Sequence, residues 1–256
     1  MKIRTEVLST HRLKGKPAGQ MVHTGVLTGE IAGVSVEYIS IKGPSKMHEP
    51  AQSGFYDLLL SLGGAGTIQT TGRSVNIGSS HIARIPYNEQ YTIGTEKDQE
   101  FHFLRIRKLL DDKDIHHITC HPANHETLYI KALNECPEYS EDIKSDQTVN
   151  RMILPEGMVP RFCMGSVETQ GPDEVAAHEH PMLDQLFYGL PGCNCTCYAD
   201  HEETNLSENM MLHIPLGSTH AVSVSEGEKL AYIWFDFFLT LEGEKYMNEQ
   251  HQMDEE

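Results

Sequence analysis

The sequence predicts an all-β chain of two similar halves joined by a short helical linker. Three observations carry that prediction. Short runs rich in β-branched and aromatic residues recur at regular intervals with turn residues between them, the pattern of a sandwich or barrel. The pattern lapses over residues 111–148, where charge rises and β-branched residues thin out. Beyond that interval the same order of events returns. Asp57, Gly64 and Pro86 to Tyr91 in the first half match Gln185, Gly192 and Pro215 to His220 in the second, at the same spacings. This reads as an internal duplication, with domains expected at 1–110 and 149–256.

In chain order, residues 1–20 are polar and basic at their end and are expected to be mobile or an edge segment. From Val22 the strand candidates are HTGVLTG, VSVEYISIKGPS, FYDLLLSLGGAGTIQTTGRSVNIG, SHIARIP and FHFLRIRKLL. Gly63-Gly64 and Thr71-Gly72 punctuate hairpins. Within the linker, Pro122 suits a first helical position, and Leu128, Tyr129, Ala132 and Leu133 fall at helical spacing, so a helix is expected up to about Asn134. Pro137 should end it. Strands resume from Val149 with RMILPEG, PRFCMGSVET, the segment around His178, CNCTCYA, NMMLHIP, HAVSV and KLAYIWFDFFL. The charged tail EGEKYMNEQHQMDEE is expected to be a short helix or disordered.

The chemistry concentrates between His178 and His220. His178 and His180 stand at i and i+2, so on a strand both imidazoles project to one side. Gln185 and Asp184 follow, then Gly192, and later Pro215, Gly217 and His220. Three histidines and a side-chain oxygen make a ligand set for a divalent cation, manganese, iron, nickel or zinc, with positions left open. By spacing, Gln185 and Asp184 are rival candidates for the fourth ligand. A neutral Gln leaves the full +2 charge on the ion, which suits polarisation of a carbonyl or enolate oxygen. In WFDFF, Trp234, Asp236 and Phe238 share one strand face. A carboxylate in an apolar barrel has its pKa raised by desolvation, so Asp236 is a candidate general acid or base. In the first half Tyr91 stands where the second has His220, and only His48 remains near the first motif, so that copy is expected to have lost its ligands.

These motifs resemble the cupin family, whose barrels carry HxH, a Glu, a Gly, and then PxGxxH, with the departure that Gln185 stands where most cupins carry Glu. The resemblance implies two jelly-roll barrels, with metal in the second. The order HxH, Gln, distal His and DxF is similar to cupins that linearise unsaturated uronates from pectin and alginate breakdown. There, three His and the Gln hold a metal and the Asp moves a proton to the ring sugar. The resemblance therefore implies His178, His180, Gln185 and His220 as metal ligands and Asp236 as the catalytic residue, with Phe238 beside it. That family's Arg after the Phe is replaced here by Glu242. Arg161 is the candidate carboxylate clamp in its stead, and Tyr188 and Met182 are candidates for core or pocket wall.

Composition narrows the partners. Lys plus Arg number 20 against 37 Asp plus Glu, a formal charge of −17, which argues against nucleic-acid or anionic-membrane binding. No signal-peptide core or membrane-length apolar run is present, and half of the six cysteines fall in one CNCTC run rather than a spaced disulfide framework, so a reducing cytoplasm is expected. Cys193, Cys195 and Cys197 alternate on one strand face and read as packing. His117, His121 and His125 are spaced by four, but Pro122 interrupts them, which discounts a second metal site. The expected partner is a small-molecule substrate, and a homodimer is left open. The leading function is metal-dependent isomerase, tautomerase or lyase chemistry on a small carbohydrate-derived or keto-acid substrate. An iron-dependent dioxygenase and a non-catalytic sugar-binding module are the alternatives.

Overall fold

The computed structural model describes residues 2–8, 13 and 17–246. In chain order the strands are β1 (Arg4–Val7), β2 (Met21–Val26), β3 (Val34–Lys42), β4 (Ser45–Glu49), β5 (Phe55–Gly64), β6 (Gly66–Thr70), β7 (Ser74–Ile77), β8 (His81–Arg84), β9 (Tyr91–Thr95) and β10 (Glu100–Leu109). Helix α1 (Asp112–Cys120) and β11 (Tyr129–Ala132) follow. Then come β12 (Glu138–Tyr139), β13 (Val149–Val159), β14 (Phe162–Gln170), β15 (Asp173–His178), β16 (Leu183–Gly189), β17 (Asn194–Ala199), β18 (Glu202–Ser207), β19 (Met210–Ile214), β20 (His220–Val224) and β21 (Lys229–Phe238).

Two compact units result, Leu8–Glu135 and Met1–Val7 with Cys136–Glu256. Each is a jelly-roll barrel of one large and one four-stranded antiparallel sheet. The first unit has the orders β11-β8-β5-β10-β3-β2 and β4-β9-β6-β7. The second has β1-β19-β16-β21-β14-β13-β12 and β15-β20-β17-β18. Adding eleven to each label of the run β8-β5-β10-β3-β2 and of the first small sheet gives the second unit's strands in the same order. The duplication read from motif spacing is thus repeated in strand pairing. Gly43 and Gly171 hold corresponding places before β4 and β15. A Cβ there would lie 1.8 Å from the Glu96 carbonyl oxygen and 1.9 Å from that of Ser225, so the same close approach admits only glycine twice.

Strand patterning places each core. On β10, Phe101, Phe103, Arg105 and Arg107 lie at i, i+2, and so share a face. The two Phe pack with Ile39, Leu59 and Ile93 inside the first barrel, each ring worth roughly 1.5–3 kcal/mol on burial. The second core gathers Phe187, Leu212, Val222, Leu230, Tyr232 and the three cysteines Cys193, Cys195 and Cys197.

The linker departs from the expected helix. The helix forms earlier, over α1, where Asp111 accepts from the Asp114 backbone N–H and Asp114 returns the bond to the Asp111 N–H. Pro122 does start a helical turn, the short 3₁₀ segment Pro122–Asn124. The Leu128–Leu133 stretch instead yields β11, because β8 offers an open edge and pairing runs from Tyr129 opposite Arg84 to Ala132 opposite His81. Helical spacing over one turn is too weak to resist a strand edge. At the amino end β1 is an edge strand, paired with β19. Residues 241–246 are helical, and the rest of the tail lies outside the described residues. No helix among the described residues is long and apolar enough to cross a membrane.

Candidate metal centre

Strands β15 and β20 are paired so that His178 lies opposite His220. β15 ends at His178, and the chain leaves the ladder before His180, with a register shift between Val175 and His178. His180 therefore reaches the site from a loop rather than from the regular strand expected of an i, i+2 pair. The three imidazoles converge all the same. Their ring centroids lie 4.2 Å (His178–His220), 4.9 Å (His178–His180) and 5.6 Å (His180–His220) apart. One ligating nitrogen from each falls within 4.8 Å of the others, the one such group found among the described residues. His117 lies tilted against His121 and edge-on to His125, and the three do not form a second such group.

Backbone carbonyls fix the tautomers. Nδ1 of His178 donates to the Ala176 oxygen at 2.8 Å, and Nδ1 of His220 to the Ser218 oxygen at 3.1 Å, which leaves each Nε2 as a lone-pair donor. Nε2 of His220 is buried with no hydrogen-bond partner. Burial lowers the pKa of His178 and pushes that of His220 down to about 4, so both are neutral at pH 7, as metal ligands must be.

The floor of the site comes from the large sheet. Phe187 lies 6.3 Å from the His220 ring, and Gln185, two residues before it on β16, shares that inward face. Across the ladder Gln185 is opposite Asp236, and Phe187 opposite Trp234. Gln185 Nε2 donates to Asp236 Oδ1 at 2.9 Å, while Gln185 Oε1 is buried with no partner. The adjacent Asp184 points to the other face, where its carboxylate lies 3.5 Å from His213. Strand alternation thus puts the amide, not the neighbouring carboxylate, toward the histidines. Asp236 is buried, and desolvation pushes its pKa up to about 7 against the lowering effect of the Gln185 N–H. Phe238 packs with Leu183 and Cys163 below it. A Cβ on Gly165 would lie 2.4 Å from the Trp234 indole, so this glycine makes room for the ring.

The two remaining sequence candidates lie elsewhere. Tyr188 is on the opposite face of β16, with its hydroxyl donating to Asn209 Oδ1 at 2.9 Å. Arg161 is not on the strand but in the turn before β14. Its backbone N–H donates to Glu244 and its guanidinium to the Leu239 carbonyl at 3.1 Å. Nothing in the local sequence marks residues 139–144 as part of the site; only hydrogen bonding to β15 brings them beside it, through Ala176 N–H on the Ile143 oxygen.

The first barrel shows what replaces the ligands. Glu49 lies opposite Tyr91 where the second barrel has His178 opposite His220, and Asp57 opposite Arg107 where it has Gln185 opposite Asp236. Arg107 holds Asp57 through two bonds of 2.7 Å and Glu49 at 3.0 Å, Arg105 pairs with Glu37 and Glu49, and the Tyr91 hydroxyl donates to Asp57 at 2.8 Å. Guanidinium groups compensate the carboxylates where a metal ion would otherwise be needed. His48 is exposed and bonds Thr92 Oγ1.

The residues of the second barrel fit a divalent ion on these observations: inward neutral nitrogens, an orphaned buried amide oxygen and fixed tautomers. Comparison with known proteins agrees with the architecture. The family model described as the AraC-binding-like domain matches residues 3–127. A sequence comparison with curated proteins finds no match. Among solved structures, a cupin 2 conserved barrel domain protein from Leptotrichia buccalis superposes with a TM-score of 0.64 at 15% identity, over 93% of this chain and 98% of that one. The putative glyoxylate-induced protein of Pseudomonas aeruginosa gives 0.65 at 11%, over 84% and 78%. An oxalate decarboxylase of Lactobacillus farciminis in a formate complex gives 0.63 at 10%, over 92% and 88%.

Proposed function

From the premise that the chain carries two domains of the cupin fold, we propose that the second is a divalent-metal centre. In this reading it catalyses proton transfer on a small carbohydrate-derived or keto-acid substrate, as an isomerase, tautomerase or lyase. The observation that carries the reading is the convergence of His178, His180 and His220 above a buried Gln185 whose amide oxygen has no partner. A divalent ion held by these four neutral groups would keep its +2 charge and supply Lewis-acid polarisation of a substrate carbonyl or enolate oxygen. Asp236, with its pKa pushed up to about 7, can take a proton and return it at neutral pH. The Gln185 N–H holds one carboxyl oxygen in place. Phe187, Trp234 and Phe238 line the same face and keep water from the carboxyl. The fold shared with a decarboxylase crystallised with formate is in keeping with a small carboxylic acid as substrate.

Elemental analysis tests the centre. The purified protein should carry about one divalent ion per chain, lost in His178→Ala and kept in His48→Ala. Retention in the first variant, or loss in the second, would place the ion elsewhere and end the proposal.

A further inference from the structure

Residues 139–144 lie against the strand that carries His178. The Ala176 N–H donates to the Ile143 carbonyl at 2.9 Å, and Lys144 forms an antiparallel bridge with Val175. Residues directly opposed across such a bridge carry their side chains on one face. Val175 belongs to the core of the second barrel, so Lys144 is aimed to the core side of β15. Its side chain is only 4% exposed. The ammonium lies 2.8 Å from the Glu141 carboxylate and 5.7 Å from the centroid of the Tyr139 ring. An ammonium has three donors, and Glu141 engages one of its sides. On the β15–β20 ladder Val175 is opposite Val222 and His178 opposite His220, so Val175 and His178 share one face, and the bridge to Val175 sets Lys144 on that same face.

We infer that Lys144 is the anion-recognising residue of the second barrel, receiving the carboxylate of a small keto-acid or sugar-acid substrate. The inference rests on the metal-centre reading for the orientation of that substrate, with its carbonyl toward His178, His180 and His220. A cation beside the metal centre gives the substrate carboxylate a partner of its own in a chain whose net charge is −17. Arg161, by contrast, lies in the turn before β14, against Glu244 and Leu239. Glu141 then acts as the group that the incoming carboxylate displaces, and the strength of that ion pair sets selectivity for anions over neutral sugars.

Calorimetric titration of manganese-loaded protein with pyruvate, and with methyl pyruvate as its uncharged counterpart, tests this. Lys144→Met should weaken pyruvate binding by tenfold or more, leave methyl pyruvate binding unchanged and leave manganese content unchanged. Glu141→Gln, which frees the ammonium, should tighten pyruvate several-fold. Unchanged pyruvate affinity in Lys144→Met, an equal loss of both probes, or a wild type that binds neither would overturn the assignment. If Lys144→Met fails to fold or loses manganese, Glu141→Gln decides, and no gain there ends the proposal. A wild type that takes up neither manganese nor iron, nickel or zinc would remove the metal-centre reading alone. Lys144 would then stand or fall on the preference of the metal-free protein for pyruvate over methyl pyruvate.

Discussion

Replacing Gln185 by Glu tests the buried pair at the floor of the second barrel. Gln185 Nε2 now donates to Asp236 Oδ1 at 2.9 Å and so favours the ionised carboxyl. The substitution removes that donor and sets a second carboxyl at the same place. Two unit charges 2.9 Å apart repel by about 6 kcal/mol at an effective dielectric constant near 20, equivalent to about 4 pH units. Relaxation and hydration reduce this, so a rise of at least about 2 units is expected in the upper apparent pKa of the coupled pair. Burial already pushes the pKa of Asp236 up to about 7, hence the pair should keep one proton throughout the neutral range. Carboxyl carbon NMR shifts of metal-free protein, followed against pH, read the change directly. In metal-loaded protein the added negative charge should hold the ion at least as tightly. Turnover should still fall, because the ion is a weaker Lewis acid and the proton no longer leaves Asp236. A variant whose carboxyl titrates where the wild type's does, and whose activity is unchanged, would refute both the pairing and the charge argument.

Two other outcomes follow from the same structure. Asp236→Asn is nearly isosteric and should keep metal content, while turnover on a keto-acid or uronate substrate falls by roughly 10²–10⁴ in kcat; full activity would exclude Asp236 as the proton carrier. Arg107→Met strips the 2.7 Å pair from the partly buried Asp57 in the first barrel and should cost about 2 kcal/mol in denaturant unfolding, with the second barrel's metal content untouched. A loss below about 1 kcal/mol would mean that the guanidinium network compensates little charge.

Much of this protein is legible in the sequence because strand alternation is a local property. The shared face of Trp234, Asp236 and Phe238 follows from period two alone, as does that of Cys193, Cys195 and Cys197. The duplication is legible because turn residues and motif spacings survive where ligands do not. What the sequence could not decide depends on pairing between distant segments. Alternation says that Gln185 and Asp184 point opposite ways, but not which way is in. That is set by the ladder that brings Phe187 against His220 and Asp184 against His213. The Leu128–Leu133 stretch has helical spacing, yet the open edge of β8 makes it a strand, since hydrogen bonds to a preformed edge outweigh a single turn's propensity. Lys144 reads locally as a linker charge, and only its bridge to Val175 aims it at the core. The sequence determined which chemistries were available; tertiary pairing decided which side chains share a space, because register and edge partners are fixed by residues far apart in the chain.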